Sequence, residues 1–159
     1  MKTLLISLFP LLGLVVGYLL RKIASEELQQ GKPYFLLLRR VLLFLLTVTL
    51  LLAIPLSLPT GIAFIIGIII AKVLRVRYLY LGCAAVASLS LAPETMLFVI
   101  AVLFLYGFPF GTQMITKNPV TSIIKHAIPY LIPFLLLLTL FASHTLLPAF
   151  VAGTLFLRE

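Results

Sequence analysis

The sequence predicts an all-α fold, a polytopic integral membrane helix bundle of about seven segments. Three observations predict it. First, 63% of the 159 residues are hydrophobic and only 10% are charged, where an ordinary soluble domain carries about 25% charged residues. Such a chain cannot cover a soluble surface, and it is too apolar to stay disordered. Second, its apolar residues fall into blocks near the length of a bilayer crossing, about 20 helical residues. Third, its basic residues fall almost wholly on one side of the bundle those blocks make.

The first segment covers residues 3–20 and stops at Arg21 and Lys22. As a helix it reaches about 27 Å, close to one hydrocarbon core. Lys2 before an apolar run resembles the start of a secretory signal, but no small-x-small cleavage site follows, so the run is read as a retained span. The second segment is 34–56, where Arg39 and Arg40 can snorkel to the headgroups near its beginning. Pro55, Pro59 and Gly61 make the turn that follows. The third is 60–74, ending among Lys72, Arg75 and Arg77. The fourth is 78–92.

Residues 78–110 form one apolar stretch interrupted at Pro93. As a single helix it would be about 50 Å long, too much for one ordinary crossing. Pro93 suits a first helical turn and Glu94 suits the positive end of a helix, so a fifth segment is placed at 94–110. Reading 78–110 as one tilted span gives six segments and is the alternative. Asn118 followed by Pro119 reads as an N-cap and first helical residue. It opens a sixth segment, 119–142, which Pro129 and Pro133 should kink. A turn at Ser143, His144 and Thr145 precedes the seventh, 146–157. That run reaches only about 18 Å, as a short span or a re-entrant half-helix. In the 21–33 link, Ser25 can cap a short helix with Glu26 and Glu27 in its first turn and Gly31 closing it. Nothing there is large enough for a second domain, so residues 1–159 read as one transmembrane domain.

An outside N-terminus puts eleven of the twelve basic residues on the inner side and leaves only Lys2 outside. The expectation is therefore a cell-membrane protein with its N-terminus outside and its C-terminus in the cytoplasm. The net charge of +8 then faces anionic headgroups of the inner leaflet. There is no basic stripe interleaved with exposed aromatics, which argues against nucleic acid. The single cysteine, Cys83, cannot form an intramolecular disulfide.

Glu94 and His144 are the candidate polar site. Both fall in outer turns, and a carboxylate facing a histidine there would titrate near neutral pH. The plainer reading of Glu94 is a helix-start residue in water, and of His144 a solvated turn residue. His126, beside Lys125, reads as a headgroup contact. Lys72, Arg75 and Arg77 are candidate lipid-headgroup contacts, Lys72 and Arg75 sharing a helix face; as bare orientation anchors they need no specific lipid. Gly13 and Gly17 are spaced for close helix packing, and Ala84, Ser88 and Ala92 repeat a small residue every four positions. The hydroxyls of Thr47, Thr49, Ser88 and Ser90 suit backbone carbonyls better than a solute. Leu58-Pro59 with Ile62-Ala63 is echoed by Leu147-Pro148 with Val151-Ala152, a match too short to assign a repeat.

No enzyme constellation is present: no aspartate, no paired intramembrane acids, no His-x-x-x-His, no Gly-x-Ser-x-Gly and no phosphate-cradling loop. No cofactor or metal is expected. The function expected is that of a small transporter-like or channel-like protein, since short, proline-broken segments resemble the discontinuous helices of transporters. A structural or assembly subunit acting through helix–helix contacts, with a second copy or another membrane protein as partner, is the alternative. A lipid-modifying enzyme ranks last.

Overall fold

The computed structural model describes residues 6, 8–24, 27, 31–55, 57–73, 77–112, 119–137 and 146–156. Among them the chain forms seven α-helices and no strand: α1 Pro10–Ile23, α2 Lys32–Leu52, α3 Leu58–Val73, α4 Arg77–Ser88, α5 Pro93–Thr112, α6 Pro119–Leu137 and α7 Leu146–Phe156. Two of them, α2 and α5, are long and apolar enough to cross a membrane. Asn118, Ser25 and Glu26, read above as helix-opening residues, lie outside the described residues.

Local chemistry explains most boundaries. Proline stands in the first two positions of α1, α2, α3, α5 and α6, where its missing N–H costs nothing. Thr60 secures the opening of α3, accepting from the Ser57 N–H at 2.9 Å and donating to the Ser57 carbonyl at 2.7 Å. α1 runs on through Arg21 and Lys22 to Ile23, beyond the end expected at residue 20. Cations in a last turn oppose the negative end of the helix, so they mark a polar boundary without ending the helix. α4 ends at Ser88, well before residue 92. There Leu89, Ser90 and Leu91 donate to the carbonyls three residues back at 3.1, 3.2 and 3.1 Å, a tightened turn of 3₁₀ type. Pro93 then restarts the chain as α5. The alternative of one continuous helix over 78–110 is therefore incorrect.

The most extensive contacts are α1 with α5, α3 with α7, and α4 with α6, while α2 bridges α5 and α7. Glycines make the closest of these approaches. A β-carbon at Gly13 or Gly17 would overlap the backbone carbonyl of Phe104 or Phe108 on α5. In return, a β-carbon at Gly111 would lie 2.8 Å from the Tyr18 nitrogen, and one at Gly107 2.9 Å from the Leu14 nitrogen. Gly67 of α3 and Gly153 of α7 repeat this reciprocal relation, against the carbonyls of Phe150 and Phe64. Gly82 of α4 sits in the same way on the Tyr130 carbonyl of α6. In each pair an Hα takes the place of the missing side chain and faces a carbonyl oxygen, a weak but recurring attraction at helix contacts.

These registers fix directions. Gly13 with Phe104 and Gly17 with Phe108 make α1 and α5 parallel. Gly82 with Tyr130 and Tyr78 with His126 make α4 and α6 parallel as well. Tyr78 also meets the Phe110 ring, so the start of α4 lies beside the end of α5. One end of the bundle thus gathers Arg21, Tyr78, Phe110, Thr112 and His126. There Arg21 donates from Nη1 to the Thr112 carbonyl at 3.3 Å, a cation on the negative end of α5.

Candidate functional site

The gathered end is where polar chemistry enters the core. Tyr78 is the second residue of α4, Tyr106 lies on the last turns of α5, and Tyr130 lies in mid-α6. All three are buried, Tyr78 being 5% exposed. Their convergence follows from Gly82: because it has no side chain, α6 approaches closely at Tyr130. One helical turn earlier on both helices, the Tyr78 and His126 rings then meet edge-on, with centroids 4.8 Å apart and planes at 70°. Phe110 closes the group, 4.9 Å from Tyr78 and 5.2 Å from His126. Edge-on rings set a positive rim against a negative face, the favoured arrangement for aromatic pairs.

The Tyr78 hydroxyl is buried and has no hydrogen-bond partner among the described residues. Buried hydroxyls in native proteins nearly always have one. Beside this one lies a small cavity lined by Tyr78, Tyr106 and Tyr130 with Leu14, Leu81 and Leu103. It has room for a group about the size of one water. Among the described residues no three His, Cys, Asp or Glu side chains come together as a metal site would need. The polar groups at hand are the phenolic hydroxyls on the cavity wall and, against the Tyr78 ring, the His126 imidazole, which suit hydrogen bonding.

The residues singled out from sequence fall elsewhere. Glu94 is exposed in the first turn of α5, about 27 Å along the helix from Thr112. His144 lies outside the described residues, so the proposed Glu94–His144 contact does too. Lys72 is exposed in the last turn of α3; Arg75 is outside the described residues, and Arg77 is described only as the first residue of α4. Gly13 and Gly17 face α5 as given above. Ala84 and Ser88 are fully buried, and Ser88 Oγ donates to the Ala85 carbonyl at 2.7 Å. Ala92 must be withdrawn from that packing stripe: it lies past the end of α4 and is exposed, because the 3₁₀-type turn changes the direction of the chain before it. The other hydroxyls also bond backbone carbonyls, Thr47 and Thr49 four residues back and Ser90 three.

His126 also needs correction. It is a half-buried ring against Tyr78 and Phe110, not merely a headgroup contact. Successive helical residues point about 100° apart, so Lys125 stays exposed while His126 turns inward. Gly107 and Gly111 carry the same four-residue spacing as Gly13 and Gly17 and form the other half of that seam. The tyrosines carried a weaker signal: Tyr78 and His126 each precede by four residues a residue at the α4–α6 contact. Compared with protein-family models, with curated proteins and with solved structures, the chain matches none.

Proposed function

We propose that this chain is a polytopic membrane protein of seven segments, N-terminus outside and C-terminus cytoplasmic, that carries or conducts a small solute through its helix bundle. The observation that carries the reading is the polar cluster of Tyr78, Tyr106, Tyr130 and His126 inside a bundle whose outer faces are apolar. Phe44, Leu52, Ile65, Ile69 and Leu97 are all exposed. Apolar residues over so much of the outside suit lipid, whereas polar groups within a membrane bundle are costly and mark functional sites. Prolines within α5 and α6, at Pro109, Pro129 and Pro133, give the interrupted helices on which such sites are built. The basic residues support the orientation. Arg21 and Arg39 lie at the end that the topology places inside, and Glu94 lies at the other.

The assembly-subunit reading is less well supported. It needs small-residue faces left over for a partner. Gly13, Gly17, Gly67, Gly82, Gly107, Gly111 and Gly153 instead meet backbone of the chain's own neighbouring helices.

Two measurements test the proposal. Single cysteines at Lys2, Gln30 and Lys117 in a Cys83→Ala background should give labelling by an impermeant reagent in intact cells only at the Lys2 position. Labelling at the other two would overturn the orientation. Proteoliposomes should move at least one of chloride, phosphate, glycerol or alanine faster than protein-free vesicles. No movement of any of these, with a stoichiometric membrane partner co-purifying, would favour the assembly role.

A further inference from the structure

We propose that the first turns of α6, ahead of Pro129, are a hinged flap that lifts His126 from Tyr78 and Phe110 and opens the cavity to the end of the bundle where Arg21 meets Thr112. The inference rests on the transport reading, since a gate serves a pathway, yet its opening is measurable without any solute.

Three observations lead there. The first is a gradient of burial. Tyr78, Tyr106 and Tyr130 line the cavity and are buried, whereas Phe110 and His126 are half-buried. Phe110 lies one helical turn beyond Tyr106 toward the end of α5, and His126 one turn before Tyr130 toward the start of α6. Both displacements lead to the same end of the bundle. There the two rings pack on each other and on Tyr78, with centroids 4.8 to 5.2 Å apart. The ring cluster therefore stands between the cavity and that end.

The second is the placement of a proline. Pro129 lies inside α6, between His126 and Tyr130. It has no N–H, so the Lys125 carbonyl lacks its helical donor and α6 is able to bend there. Past Pro129 the helix is held, because the Tyr130 carbonyl meets Gly82 of α4. Ahead of it, Thr121, Ile124, Lys125 and Ile128 are exposed, and Ile123 and His126 are half-buried. The third is that the opposing side is fixed. Gly111 of α5 lies against the Gly17 and Tyr18 backbone of α1, and Arg21 donates to the Thr112 carbonyl. Pro109 is therefore not a second hinge: the turn that carries Phe110 is a seat, and α6 is the part that moves. Lifting His126 uncovers Tyr78, whose buried hydroxyl has no partner among the described residues while the rings are closed. Water reaching that hydroxyl favours opening, and the edge-on ring contacts favour closure.

The test reads access to the cavity wall. Leu81→Cys in a Cys83→Ala background places a single thiol on that wall. Its rate of reaction with methanethiosulfonate ethylammonium would be measured on the full chain in an uncharged detergent. His126→Ala removes the plug and should raise the rate by about tenfold or more. Pro129→Ala restores the missing N–H, stiffens α6 and should lower the rate by about threefold. Opposite changes from two positions on one helix separate a hinged flap from a general loss of packing, and Pro129→Ala remains a test if His126→Ala does not fold. Val151→Cys in α7, buried away from the cavity, should keep its rate in both variants. An unchanged Leu81→Cys rate in either folded variant would overturn the flap, and so would a rise that Val151→Cys shares. Labelling that follows His126 and Pro129, with no solute flux in proteoliposomes, would uphold the flap and contradict the transport reading. Flux with labelling indifferent to both positions would do the reverse.

Discussion

Helices α3 and α4 are neighbours in sequence and both strongly apolar, yet they occupy opposite environments. α3 carries isoleucine at 62, 65, 66, 68, 69 and 70 and exposes four of these, burying only Thr60, Gly67 and Ala71. α4 has no isoleucine. It is built on Gly82, Ala84, Ala85, Ala87 and Ser88, all buried, and is packed by α5, α6 and α7. The more hydrophobic helix is thus the outer one. In water that order would be inverted, because burying isoleucine is worth about 2 kcal/mol or more. In a bilayer the outside is as apolar as isoleucine itself, and small residues belong where backbones touch. On the proposed membrane reading, hydropathy marks the lipid-facing helix, while small-residue content marks the faces where helices pack.

The contrast breaks most visibly at Gly82. Leucine there would drive a side chain into the Tyr130 backbone, so Gly82→Leu should cost about 3 kcal/mol or more and prevent a monodisperse preparation in detergent. A Gly82→Leu protein that melts like wild type would remove α4 from the interior. Gly67→Ala sharpens the comparison within α3, because Gly67 lies on its packed face against Phe150. The added methyl should lower stability by about 1–3 kcal/mol, measured by denaturant titration in mixed micelles, despite alanine's better helix propensity. On the outer face of the same helix, Ile65→Ala should change stability by no more than about 0.5 kcal/mol. Equal losses at positions 65 and 67 would mean that α3 is packed on both sides.

Local signals made the helical class and most helix starts legible. Pro93, Pro59 and Pro119 act through their own backbone, so one sequence position suffices to read them. Partnering was not legible. A four-residue spacing such as Gly13 to Gly17 announces a seam, but only the matching Gly107 to Gly111 identifies α5 as the other half. The candidate site was hidden for a related reason. Tyr78 and His126 lie far apart in sequence and are brought together by a glycine contact one helical turn away. Glu94 stands out because it is charged in an apolar sequence, although a helix-start position explains it. Lys125 made His126 look like an interface residue, because adjacency in sequence is not adjacency on a helix.

The most direct test of the membrane-embedded bundle uses the absence of native tryptophan. One tryptophan would be introduced by Ile65→Trp on the exposed face of α3 and, in a separate protein, by Tyr80→Trp in α4, where Tyr80 is 2% exposed. Each protein would be reconstituted in bilayers of lipids brominated along their acyl chains, which quench tryptophan on contact. The account predicts strong quenching for Ile65→Trp and little for Tyr80→Trp. No quenching at either position would show that the apolar faces do not meet lipid, and equal quenching at both would show that α4 is not enclosed by the other helices.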